Sequence, residues 1–356
     1  MNRSWLCLSF LGLFLLAGAL SPPLADPMGR ESLTSRVLAS YEPEGAPDAD
    51  AKGRAKVAAE FLSSLTDEHR SQASFGFEDA ERQDWTNVPP GVDEGGVRLG
   101  DCSESELKAA LDLLAVVLSD SGYAKVCNIL LADDLLLRDG QPRRGFGAEN
   151  FWLAIFGEPS AEGPWALQLD GHHLALNMTF EGEHIGLSPT FWGVQPANFS
   201  RAGVGYEPMG AESAKAYALL ASLNEEQRAI AIVSDQRGRI ETAAGRDGFI
   251  PGPQGLACSE FGQDQVQLLS DLLTIYVKVL PPPHAKARLV LMLASVDEMT
   301  FSWSGPASHP ADVSFRLQSP EFILEYACQD IGGKPLEHLH AMYREPTREY
   351  RAGGKK

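Results

Sequence analysis

The chain repeats itself, and that constrains its fold more than any single motif. The segment "FLSSLTDEHR" (Phe61 to Arg70) returns as "LLASLNEEQR" (Leu219 to Arg228), with apolar, Leu and Arg positions kept. "LGDCSESELKAALDLLAVVLSDSGY", beginning at Leu99, has a later counterpart in "LACSEFGQDQVQLLSDLLTIYVKVL", beginning at Leu256. Leu113, Leu114, Val117 and Leu118 then fall opposite Leu272, Leu273, Tyr276 and Val277, the spacing of a buried helix face in both copies. Ser103 and Ser259 stand where N-caps are expected. A third block aligns without a gap: "FWLAIFGEPSAEGPWALQLDGHHLALN" from Phe151 lies over "MTFSWSGPASHPADVSFRLQSPEFILE" from Met299, so that Leu169 matches Leu317. Apolar spacing alone recurs by chance, but three blocks in one order favour duplication.

Each copy reads as helix, loop, helix, strand, loop, long strand. The expected fold is therefore α+β, with two pseudo-twofold-related halves, residues 26–208 and 209–350, sharing a mainly antiparallel sheet covered by helices. Residues 351–356, "RAGGKK", read as a tail. Ahead of the first half, Arg3 is followed by an apolar run from Trp5 to Leu20 and then by small residues and prolines. At roughly 16 apolar residues the run is short for a membrane span and reads as a signal peptide over residues 1–25. The expectation is an exported protein, periplasmic or extracellular, with no stable membrane insertion after cleavage.

The 356 residues carry 30 Lys+Arg against 48 Asp+Glu, a formal charge of -18. Such a surface repels phosphate backbones and anionic lipid, so nucleic acid is not an expected partner and a small molecule is. Oligomeric state is not legible. Once Cys7 leaves with the signal peptide, Cys102, Cys127, Cys258 and Cys328 remain, an even number that suggests disulfides in an exported protein. Three connectivities are open; Cys102 with Cys258 and Cys127 with Cys328 is the one the repeat suggests. No CxxC, GxSxG or HExxH occurs.

Chemistry concentrates in histidine. Of eight histidines, His172, His173, His184, His338 and His340 fall in the two late strand regions, "LQLDGHHLALN" and "LEHLHAMYREP". If the first is one strand, His172 points with Leu174 and Leu176, while His173 points with Ala175 and Asn177; a bulge at Gly171 would exchange the two. The second copy places Glu321, Ile323 and Glu325 opposite His173, Ala175 and Asn177, so both put polar side chains on the His173 face. If "HLH" is extended, His338 and His340 project to one side, as in many strand-borne metal sites. Single histidines in a β-rich core are usually satisfied by carbonyls and carboxylates, with Asp170 and Glu183 as local partners for His172 and His184.

Jointly the residues suggest a metal site with His173, His338 and His340 as ligands, His172 as a fourth ligand or a supporting residue, and Glu325 as ligand or general base. Zinc or copper suits such a set, iron less well. The reaction would be hydrolysis through metal-bound water or metal-based redox chemistry; the alternative is a secreted, non-catalytic protein that binds metal or a small ligand. Glu321 with Glu325 could also form a paired-carboxylate site. Arg344, Glu345 and Arg348 read as a solvated charge network. Phe151, Trp152, Trp165, Phe191, Trp192 and Trp303 read as core or pocket wall.

"FWLAIFGEP", "WALQLDGHHLALN", "LSPTFWGVQPA", "ASLNEEQR" and "HLHAMYREPTREY" resemble an exported bacterial family known as domain of unknown function 3500, over roughly Val37 to Tyr350. The resemblance implies no activity. The cysteines and the Tyr350-Arg351 ending depart from the family pattern.

Overall fold

The computed structural model describes residues 31–43, 49–89, 94–139, 145–331 and 333–352. The expected signal peptide and residues 353–356 of the expected tail lie outside them. Among the described residues no helix is long and apolar enough to cross a membrane.

The chain begins with α1 (Leu33–Ser40), α2 (Ala51–Ser64), α3 (Asp67–Ala73), β1 (Ser74–Phe75), β2 (Val97–Arg98), α4 (Glu104–Val117) and α5 (Asp120–Asp139). Strands β3 (Phe151–Phe156), β4 (Trp165–Gly171), β5 (Leu174–Glu181), β6 (His184–Gly186) and β7 (Thr190–Val194) follow, then a separate hairpin of β8 (Phe199–Arg201) and β9 (Val204–Tyr206). The order then recurs as α6 (Gly210–Ser222), α7 (Glu225–Ala231), β10 (Ile232–Ser234), β11 (Leu256–Ala257), α8 (Gln263–Val277), α9 (Pro282–Leu293), β12 (Thr300–Ser304), β13 (Ser314–Gln318), β14 (Ile323–Cys328) and β15 (Leu339–Arg344).

Among the described residues, thirteen strands make one mixed but mainly antiparallel sheet, ordered β1-β3-β4-β5-β7-β15-β14-β13-β12-β10, with β2, β6 and β11 alongside β3, β5 and β12. From either edge inwards the pairing is the same. A short parallel strand comes first, β1 on β3 and β10 on β12, then antiparallel neighbours, until β7 meets β15. Leu153, Leu169 and Leu176 line up across β3, β4 and β5; Phe301, Leu317 and Leu324 occupy the same rungs across β12, β13 and β14. All six join the main core, where α2 packs on α4 and α6 on α8.

The helix starts differ between the two halves of the chain. Ser103 caps α4 in a capping box with Glu106, as expected. Ser259, its expected counterpart, lies instead inside the 3-10 turn Cys258–Glu260, and α8 starts from Gly262, whose amide donates to the Gln265 side chain (2.9 Å). Cys258 therefore opens that turn, whereas Cys102 follows the corresponding turn Leu99–Asp101. All four thiols are free and buried, so the expected disulfides are not formed. Burial pushes Cys102, Cys127 and Cys258 up to about 12 and raises Cys328 too, which keeps them protonated and unreactive.

Strand alternation leaves Gln168, Asp170, Asn177, Arg316, Gln318 and Glu325 on the face away from the helices, buried all the same. Loops cover that face, and these side chains hold the loops. Asp170 accepts from the Thr86 amide (2.7 Å), and Gln168 donates to the Arg82 carbonyl (3.0 Å). Arg316 donates to the Gly252 carbonyl (3.1 Å) and Gln318 to that of Pro251 (2.6 Å). Glu325 accepts from the amides of Glu241 (3.1 Å) and Thr242 (3.0 Å) and from the Thr242 hydroxyl (2.5 Å). Of the expected solvated network, Arg348 does lie at the surface, paired with Glu321, but Arg344 and Glu345 are buried. Arg344 is wholly buried, donating to the Thr242 and Ala243 carbonyls and pairing with Asp247 and Glu349, while Glu345 pairs with Arg288.

Hydrogen bonds to a charged group contribute about 1.5–3 kcal/mol each. Glu325→Ala is expected to lower unfolding free energy in urea by about 3 kcal/mol or more and to raise proteolysis within residues 238–254. A loss under about 1 kcal/mol would mean the loop is held by other contacts.

Candidate metal centre

β4 ends at Gly171 and β5 begins at Leu174, and these two residues are paired. His172 and His173 are thus the two central residues of a tight turn, not the middle of a strand as the alternation argument assumed. No side chain fits at Gly171, because a Cβ would stand 2.6 Å from the Asn150 carbonyl oxygen. His173 takes φ +71°, a left-handed conformation that costs a residue with a Cβ about 1 kcal/mol or more. Its amide donates to Asn87 (3.2 Å) and its carbonyl accepts from Gly193 on β7 (2.6 Å), which holds the conformation in place.

His338 precedes β15, and His340 lies on it, opposite Gly193 of β7 and Ala327 of β14. Gly193 is the floor of the centre. A Cβ there would meet His173 Cδ2 at 2.9 Å and His340 Cδ2 at 3.0 Å, so only glycine lets the two rings close over the strand.

The Nε2 atoms of His173 and His338 are 2.7 Å apart, and those of His338 and His340 3.0 Å apart. Nδ1 of His338 lies 2.7 Å from the Ile331 carbonyl, which can only accept, so Nδ1 carries the proton and Nε2 presents its lone pair. Without a metal, that single lone pair can accept an Nε2–H from His173 or from His340. Ligands at 2.0–2.1 Å in a tetrahedron are about 3.3 Å apart, so an ion would need the two separations from His338 to open by about 0.6 and about 0.3 Å. His173 and His338 are buried (1 % and 6 % exposed) and His340 is half-buried.

The charge state suits a metal. Burial drives His173 and His340 well below the ordinary imidazole range, and the neighbouring imidazoles push in the same direction. Burial also lowers His338, to about 4, against the opposing effect of the Ile331 carbonyl. All three are neutral near pH 7, as ligands must be.

His172 is placed differently. Its Nδ1 donates to Asp133 on α5 (2.5 Å), and its ring is sandwiched between Phe146 (4.5 Å) and His173 (3.7 Å, planes 28° apart). Asp133, His172 and His173 are close enough to share an ion, but stacked rings aim their lone pairs in similar directions rather than at one point. The second oxygen of Asp133 accepts from the Gly147 amide (2.7 Å). The stack orients His173. Asp170 and Glu183, the expected local partners, serve Thr86 and Arg54 instead.

Glu325 shares the sheet face but not the cluster: its oxygens are held by residues 241–242, and the carboxylate is not among the groups gathered with the histidines. Drawing it away would forfeit several charged hydrogen bonds. Glu321, its suggested partner in a carboxylate pair, is bonded to Arg348 at the surface (2.6 Å). His69, Cys102 and Glu106 form another group close enough to hold an ion. There Glu106 already accepts from His69 (2.9 Å), the Thr66 amide (3.0 Å) and both the amide and hydroxyl of Ser103 (2.8 Å). Burial pushes its carboxyl up, but these bonds outweigh it and hold it at about 2. With a protonated thiol and a saturated carboxylate, that group is a helix-start tie.

Sequence reasoning missed Asp133, Phe146 and Gly193. The first had a signal: Asp133 and Asp134 interrupt the apolar run of "ILLADDLLL", and acids on a buried helix face need a partner.

Fold and site define an α+β protein with a buried three-histidine group, able to hold a metal ion, on the loop-covered face of its sheet. Residues 48–352 match the family described as protein of unknown function DUF3500, and the chain belongs to that family. No curated protein and no solved structure matches it.

Two outcomes follow from the geometry. Unfolded histidines take up protons near pH 6.5, whereas the folded cluster resists them down to about pH 4. The unfolded state binds more protons in that window, so the metal-free protein should lose stability steadily as pH falls through it, with a flatter slope in His338→Gln. Equal slopes in thermal unfolding of the two proteins would count against the buried neutral cluster. Gly193→Ala should remain folded but bind zinc at least about tenfold more weakly by competition with a chromophoric chelator; unchanged affinity would show that the rings need not close over β7.

Proposed function

We propose that this protein is a metal-dependent enzyme whose single divalent transition metal, zinc or copper rather than iron, is held by His173, His338 and His340. The observation that supports this most is the convergence of three neutral imidazoles, with the Nε2 atoms of His173 and His340 both within 3.0 Å of that of His338 and His340 only half-buried. Three imidazoles leave a zinc ion short of its usual four ligands, and the open position is the mark of catalytic rather than structural zinc. The metal supplies Lewis acidity there, and lowers the pKa of a bound water if the reaction is hydrolysis. His338 is oriented by the Ile331 carbonyl and His173 by the stack with His172, which Asp133 fixes. Glu325 has a loop to hold, so the acid–base role is better served without it. The Arg3-led apolar run supports export.

Protein purified without chelator should contain close to one metal per chain by elemental analysis. His173→Ala and His340→Ala should each lose it, while Glu325→Gln should keep it. Asp133→Asn should weaken retention by about ten- to hundredfold. Metal-free wild type, or retention in both histidine variants, would contradict the assignment. Full occupancy with no chelator-sensitive turnover of activated ester or redox substrates would favour the non-catalytic metal-binding alternative.

A further inference from the structure

Among the described residues four arginines are buried, and three of them keep a carboxylate alongside. Arg54 pairs with Glu183 (2.9 Å), Arg316 with Glu241 (3.2 Å) and Arg344 with Asp247 (2.8 Å). Arg82, 7 % exposed like Arg316, has only neutral acceptors there: the carbonyls of Phe77 (3.0 Å) and Tyr350 (2.9 Å) and the Thr179 hydroxyl (3.0 Å). These take three of the five N–H groups of a guanidinium and leave Nε–H and one hydrogen of Nη1. Burial pushes the group down from the usual arginine range, against the opposing pull of Glu78, but it stays charged near neutral pH. A buried charge without a counter-charge is costly to keep.

Arg82 lines a cleft of about 690 Å³, within the roughly 300–1,000 Å³ of small-molecule sites. Thr179 and Ala352 share its buried floor, while the half-buried Phe77 and the exposed Pro164 give it an apolar wall. Phe77 also stacks on the guanidinium, its ring centroid 4.3 Å from Cζ. Tyr350, on the lining too, is left-handed (φ +58°), a conformation that costs energy and clusters at functional sites. Glu349 is committed to Arg344 and the Gly248 amide. Around the mouth, Glu78, Asp79 and Glu181 face one cation, Arg351, and all four are exposed. The cleft is distinct from the histidine group, because Thr179 stands six positions beyond His173 along β5, about 20 Å at the rise of a strand.

The geometry points to a second ligand site, for a small organic monocarboxylate whose carboxylate meets Arg82 while its apolar body lies along Phe77 and Pro164. The site stands independently of the metal reading. A ligand carboxylate supplies the counter-charge that Arg82 lacks, through charge-assisted hydrogen bonds to its remaining N–H groups. The acidic mouth disfavours a second negative charge, so phosphate esters and dicarboxylates fit it poorly.

Titration calorimetry of the full chain with 3-phenylpropionate and 3-phenylpropionamide tests this, since the two share an apolar body and differ in the charge of the head. Wild type should bind the acid at least about tenfold more tightly than the amide, the value of one charge-assisted bond. Arg82→Met keeps the length of the side chain and removes its charge. There the preference should fall below about threefold with an unchanged circular dichroism spectrum. Phe77→Ser should weaken both ligands at least about threefold, and locates the site should Arg82→Met fail to fold. A wild-type preference below about threefold would overturn the proposal. So would a full preference in folded Arg82→Met, or affinities unchanged in Phe77→Ser.

Discussion

A sheet buried on both faces must find a hydrogen-bond partner for every polar side chain it carries, and in this protein one face is covered by loops rather than helices. Loop backbone cannot satisfy itself as a helix does, so the sheet supplies the missing donors and acceptors. Asp170, Gln168, Arg316, Gln318, Glu325 and Arg344 each meet an amide or carbonyl of segments 82–86 or 241–252. The arrangement determines what is left over for chemistry. A buried carboxylate that holds a loop is a poor candidate for a reacting group, however acidic the face looks in sequence.

The histidine group is the exception on that face. Its imidazoles bond chiefly to one another, and the main chain around them is shaped to bring this about: a left-handed His173, a glycine under the rings, and a carbonyl that fixes His338. The local strain at His173 costs about as much as one net hydrogen bond contributes, and it is held by bonds from Asn87 and Gly193. Outliers of this kind cluster at functional sites. The Asp133–His172–His173 stack extends the device into α5, tying the orientation of one imidazole to a helix on the opposite face of the sheet.

Much of this was legible in the residues, and the failures have definite causes. The gap-free alignment of Leu169 with Leu317 is matched by the rungs on which they lie, because register is set by apolar side chains that cannot move one place without turning outward. Alternation identified the face on which Asn177 and Glu325 lie, but it treated "GHH" as continuous strand. Two histidines give no turn signal, where Asn-Gly or Asp-Gly would have. The clue lay in the other copy, where Ser319-Pro320 aligns with Gly171-His172 and proline breaks a central strand. The thiols misled because an even count in an apparently exported chain says nothing of distance. Arg344 misled because a charged run can be buried whenever each charge finds a partner.

The central claim is that three imidazoles converge to hold one metal, and X-ray absorption at the metal edge of the natively purified protein tests it most directly. The account predicts three nitrogen scatterers at 2.0–2.1 Å with the outer-shell pattern of imidazole rings, and no sulfur, since the four described thiols lie outside the group. A first shell with sulfur at about 2.3 Å, or one made of oxygen without imidazole, would contradict it.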